Sequence, residues 1–166
     1  MHPRILRSPA STAALALLLA LAPWGAAAAE DPPPSWRLPV SGARVLVPFE
    51  APAHDYGPGH RGIDIGPVDD VVAAPADGVV AFAGTVVDRG VVSIDHGGGW
   101  VTSVEPVTPT VAPGDVVRAG DPIGRISEGG HAGPGSLHVG VRQDGEYVNP
   151  LALMGRVPRA VLLPCC

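Results

Sequence analysis

His60 and Asp64, four residues apart in His60-Arg61-Gly62-Ile63-Asp64, and His138 in Ser136-Leu137-His138-Val139-Gly140-Val141 are the residues of this chain best suited to chemistry. Two imidazoles and one carboxylate form a donor set for one zinc ion. Three protein ligands leave a fourth position open to water, as hydrolytic zinc sites do. On a straight strand, residues four apart share a face but sit about 13 Å apart, too far to bind one ion. Pro58-Gly59 and Gly62 allow a bend that would bring His60 and Asp64 to one point. In the second segment Leu137, Val139 and Val141 alternate with Ser136, His138 and Gly140, so the apolar set faces a core and His138 faces the other side. A histidine on the polar face of an apolar strand fits ligation better than packing. His131, in the glycine-rich loop before Ser136, is close enough in sequence to swing towards the metal. His54 reads as a solvated loop residue and His96 as the cap of a glycine turn.

The elements that must hold these residues are short strands. Period-two alternation predicts strands at Val45–Val47, Ile63–Ile65, Val71–Ala73, Gly78–Phe82, Val91–Asp95, Trp100–Val104, Asp115–Val117, Ile123–Ile126, Leu137–Arg142 and Glu146–Val148. Glycine, proline or aspartate punctuates nearly every gap, and Gly97-Gly98-Gly99 reads as a hairpin turn. Apart from one turn at Pro150–Met154, nothing after the N-terminal segment has a helical period. The fold class is therefore all-β, with many short, mostly antiparallel strands in a sandwich or barrel-like hybrid.

Residues 1–29 read as an export signal: Arg4 and Arg7 precede an apolar run, and Ala27-Ala28-Ala29 offers a small-residue cleavage site. The run before Pro23 is shorter than the roughly 20 residues that span a bilayer, so no stable membrane span is expected after cleavage. Residues 30–35 form a proline-rich linker, 36–154 the β domain and 155–166 a tail. The chain has 166 residues, and losing Arg4 and Arg7 with the signal takes its net charge from −5 to −7. That balance, with no basic patch, argues against a nucleic-acid partner. Cys165 and Cys166 are adjacent at the C-terminus and cannot staple distant parts of a core.

Gly59–Ile65, the Pro75-Ala76-Asp77-Gly78-Val79-Val80 strand, Val91–Gly99, Val111–Gly124 and Ser136–Leu153 together resemble the lysostaphin-type zinc metallopeptidase family, whose fold is the duplicated hybrid motif. Biotinyl and lipoyl carriers have a related barrel-sandwich pattern, but they attach their group to a lysine, and this chain has none. The resemblance implies one zinc held by His60, Asp64 and His138, and action on peptide cross-links of bacterial peptidoglycan. Active members carry two further histidines, which here align with Glu105 and Ser136. Glu105 is then a candidate base, since a carboxylate can take a proton from activated water. Ser136 can donate one hydrogen bond to an oxyanion but supplies no charge.

Two functions follow from these features. One is an exported zinc endopeptidase that cuts cell-wall peptides. The other is a catalytically silent module of the same fold that binds the wall or regulates a hydrolase. A third possibility, a β domain whose histidines are incidental, predicts no stoichiometric zinc.

Overall fold

The alternation of β-branched and small residues produces eleven strands in a computed structural model that describes residues 36–54, 56–66, 69–131 and 133–154. The export signal, the proline linker and the cysteine tail lie outside the described residues. The strands are β1 (Arg44–Val47), β2 (Ile63–Gly66), β3 (Val71–Ala73), β4 (Gly78–Val86), β5 (Arg89–Gly97) and β6 (Trp100–Glu105). They continue with β7 (Val107–Pro109), β8 (Val116–Val117), β9 (Pro122–Ile126), β10 (Leu137–Gln143) and β11 (Glu146–Val148), followed by one helical turn, α1 (Pro150–Leu153). Asn149 caps that turn by accepting from the Leu151 N–H at 3.0 Å, and Pro150 occupies the first turn, where no N–H is needed. No helix among the described residues is long and apolar enough to cross a membrane.

Two sheets result, and every strand pairing is antiparallel. The larger runs β1-β2-β10-β6-β5-β4-β8, with β11 added to β10; the smaller is β3-β9-β7. The all-β expectation holds, with two open sheets rather than a closed barrel. One apolar cluster joins them. Ile63, Ile65, Val92, Ile94, Val104, Leu137, Val139 and Val141 of the larger sheet meet Val72, Val107 and Ile123 of the smaller. These side chains are almost fully removed from water, and burying one Val, Leu or Ile contributes about 1.5–3 kcal/mol.

The structure departs from the expected strands in two places. β7, which follows Pro106 and ends on Pro109, is not anticipated, because the two prolines leave only Val107 and Thr108 to show a pattern. The β4–β5 hairpin extends past Phe82 to Val86 and back from Arg89, through an arm whose largely exposed small residues lack alternation.

His96 does not cap the glycine turn; the Asp95 carboxylate does, accepting from the Gly97 N–H at 2.8 Å. The His96 ring bridges strands instead. Nδ1 donates to the Asp77 carbonyl at 2.8 Å, Nε2 accepts from the Thr102 hydroxyl at 2.9 Å, and the ring packs 4.6 Å from Trp36. Burial there holds its pKa below the ordinary histidine value, outweighing the opposing effect of the Asp77 bond.

Candidate metal centre

Sheet register assembles the site. On β10, His138 lies opposite Asp64 of β2 on one side and opposite Glu105 of β6 on the other. Directly opposed residues of antiparallel strands share a face, so Asp64, His138 and Glu105 form one row across three strands. Leu137 and Val139, which flank His138, point into the core. The alternation that buries the sheet therefore also presents the row to a cleft.

His60 joins this row from outside the strands. It bridges to Glu50, after which Arg61 and Gly62 bend the chain into β2. The bend brings His60 Nε2 to 3.1 Å from Asp64 Oδ1 and 3.2 Å from His138 Nδ1. His138 Nδ1 is 2.8 Å from Asp64 Oδ1. Gly62 is needed for this approach, because a Cβ there would lie 2.6 Å from His138 Nε2. The expected convergence of His60, Asp64 and His138 is thus present in the geometry.

The donor chemistry fits a cation. His60 Nδ1 lies 2.8 Å from the Pro48 carbonyl, which can only accept, so Nδ1 carries the proton and Nε2 presents a lone pair. That lone pair faces a carboxylate oxygen and a second imidazole. His138 has one ring proton to give, so it cannot satisfy both neighbours. A shared positive ion relieves three converging donors at once. Their mutual separations match the edge of about 3.3 Å for a tetrahedron of nitrogen and oxygen ligands around zinc. Burial pushes the His138 pKa down, against the pull of Asp64, so the ring stays neutral as metal ligation requires. His60 is also anchored as bound histidines usually are, through its second nitrogen to a backbone carbonyl.

The remaining candidates fall in different places. Glu105 and His131 line the same cleft of about 340 Å3 as His60 and His138, together with Arg61, Arg89, Arg142 and Tyr147. Ser136 does not line it; its hydroxyl donates to the Gly133 carbonyl at 2.5 Å and tightens the loop before β10. His54 is exposed. A larger hollow of about 480 Å3 opens at Trp36 and Val40, but it gathers no set of metal donors.

Arg89 is the main residue the sequence did not flag. Its Nε lies 2.9 Å from Glu105 Oε1, an ion-pair contact whose angle falls short of a hydrogen bond. The carboxylate raises the arginine pKa further above its ordinary value. In Val87-Asp88-Arg89-Gly90 the arginine looks like a solvated hairpin residue, and only the β5–β6 pairing brings it to Glu105.

Residues 58–150, which include His60, Asp64, Glu105, His131, Ser136 and His138, match the model of peptidase family M23. Uncharacterized proteins of Mycobacterium tuberculosis (strain H37Rv) and Mycobacterium bovis are 37% identical over 148 residues, covering 85% of this chain. The chain spans only 58% of the length of those curated relatives. A zinc-containing peptidase from Vibrio cholerae superposes with a TM-score of 0.60 at 20% identity, covering 75% of this chain and 41% of that one. The solution structure of lysostaphin gives 0.60 at 17% identity, over 75% of this chain and 57% of that one. Given a matched segment that holds both the bent His60–Asp64 pair and His138, the chain belongs to peptidase family M23.

Proposed function

We propose that this chain is an exported zinc-dependent endopeptidase domain acting on the peptide cross-links of bacterial peptidoglycan. The observation that carries the proposal is the 2.8–3.2 Å triangle of donor atoms from His60, Asp64 and His138, two of which, His60 and His138, line a cleft. Those three residues would hold the ion. When bound, zinc supplies Lewis acidity towards a peptide carbonyl and towards water. Glu105, directly beside His138 in the sheet, is the candidate proton acceptor, and Arg89 pairs with its carboxylate at 2.9 Å. Arg61 and Arg142 stack towards the Tyr147 ring at 6.0 and 5.8 Å and give the cleft a positive wall, which suits a peptide bearing carboxylates. The leader-like first 29 residues support action outside the cytoplasm.

Two observations favour a second reading, in which the domain grips wall peptides or regulates a hydrolase without cutting. Glu105 is engaged by Arg89, and the Ser136 hydroxyl is spent on Gly133. Neither position where active members carry histidine has a free proton-transfer group.

Digestion of purified peptidoglycan by the secreted form decides between them. The enzyme reading expects soluble peptide release that a chelator abolishes and zinc restores. Glu105→Gln should then lower the rate about 10²–10⁴-fold, the usual contribution of a positioned base. Zinc-replete protein that releases nothing from walls of several cross-link types overturns the enzyme reading and leaves the binding module.

A further inference from the structure

We propose that His131 is a fourth protein ligand, so that the resting metal site is a closed set of three histidines and one aspartate, with Glu105 and Arg89 as its outer support. The inference rests on the zinc reading above and changes the part that Glu105 plays in it.

Four observations carry the assignment. Donor atoms of His60, Asp64, His131 and His138 all lie within 4.8 Å of one another. The donors of His60, Asp64 and His138 already close a triangle, which leaves one tetrahedral position open, and His131 lines the same cleft as His60 and His138. Ring positions agree as well. Three imidazoles around one tetrahedral zinc put their centroids about 5.2 Å apart, from a zinc–nitrogen distance near 2.05 Å. Here the separations are 4.7 Å for His131–His138, 5.0 Å for His60–His138 and 6.1 Å for His60–His131. His131 therefore sits at array spacing from His138 and about 0.9 Å beyond it from His60, a gap that a small shift of its exposed loop closes.

The third observation concerns ring orientation. His131 Nδ1 faces Glu105 Oε1 at 3.7 Å, within ion-pair reach and short of a hydrogen bond. An Nδ1–H held towards that carboxylate leaves Nε2 as the nitrogen with a free lone pair. This is the carboxylate–histidine–metal arrangement that orients a ligand and raises its basicity. Arg89 Nε holds the same Glu105 oxygen at 2.9 Å. The fourth observation is how the loop reaches the site. Gly129 and Gly130, with φ of +113° and +72°, lie directly on the Arg89 stem; a Cβ on Gly130 would fall 2.5 Å from Arg89 Cδ. Arg89 thus seats both the loop that delivers His131 and the carboxylate that aims it.

With His131 bound, Glu105 is a positioning residue. The enzyme reading then requires an incoming peptide or water to displace His131, whereas the binding-module reading needs no exchange. A closed set of this composition also accounts for the loss of both family histidines: proton-transfer groups have no task beside a filled coordination sphere.

X-ray absorption at the zinc edge on the zinc-loaded secreted form, with chelator competition for affinity, tests the proposal without an activity assay. The wild type should show three imidazoles and one oxygen donor, and His131→Ala two imidazoles. His131 is half-exposed, so its truncation should leave the apo melting curve unchanged. Glu105→Gln, which keeps the three histidines, should weaken zinc binding roughly 10–100-fold, and His131→Ala at least as much. Zinc binding by the wild type through only two imidazoles, with unchanged affinity in His131→Ala, overturns the fourth ligand and leaves the three-ligand reading standing. A wild type that takes up no zinc overturns both.

Discussion

Replacing Asp64 by Asn separates the cost of the site from its benefit. Asp64 is only 7% exposed, and of the two imidazoles its carboxylate faces, His60 presents a lone pair and His138 at most one N–H, so in the metal-free protein a negative charge there has a single imidazole donor. An amide of the same shape keeps an oxygen for the His138 N–H and removes that charge. The metal-free variant should therefore melt at or above the wild-type temperature. Zinc should reverse the order. At free zinc 1,000 times the dissociation constant, binding stabilises the wild type by about 4.1 kcal/mol. For a domain of this size, with about 3–5 °C per kcal/mol, that is a rise of roughly 12–20 °C. A 100-fold weaker site would keep only about 1.4 kcal/mol at the same zinc concentration, or less than roughly 7 °C. Scanning calorimetry of both proteins with chelator and with zinc reads the crossover. A metal-free Asp64→Asn protein several degrees less stable than wild type, or one that keeps the full zinc shift, refutes the assignment of Asp64 as a charged ligand under strain in the empty site.

Gly62→Ala should weaken zinc about tenfold or more, since its Cβ would push on His138 Nε2; chelator competition that returns wild-type affinity contradicts this. Stability of the metal-free protein should depend on pH through His96, whose pKa is held down by burial. A depressed histidine contributes full stability above its ordinary value of 6.5 and loses it as pH falls below that value, because the unfolded chain takes up the proton first. His96→Gln should flatten, without abolishing, the decline of melting temperature below pH 6.5, since His138 is depressed in the same direction. An unchanged slope in the variant would show that His96 is not the group responsible.

What could be read from the sequence follows from which forces are local. Alternation along β10 is a short-range pattern, so the inward Leu137, Val139 and Val141 and the outward His138 are legible from seven letters. The bend at Gly62 is legible for a similar reason: only a residue without a side chain lets the chain pass so close to His138. Arg89 and the position of His131 are not, because both depend on which strand lies next to β6 and on a loop folded over a side chain 40 residues away in sequence. The reading of His96 failed through the same limit. Its neighbours in sequence are turn glycines, whereas its partners, Asp77, Thr102 and Trp36, come from other elements. β7 is not legible because the two residues between Pro106 and Pro109 carry no period, and its pairing with β9 is entirely tertiary.

The central claim is that one cation is shared by three named atoms. Crystals of residues 30–166 grown with zinc, with data collected on both sides of the zinc absorption edge, settle whether it is. One strong anomalous peak is expected in contact with His60 Nε2, Asp64 Oδ1 and His138 Nδ1. Zinc-bearing crystals with no peak between those atoms, and the side chains still converged as they are here, would contradict it.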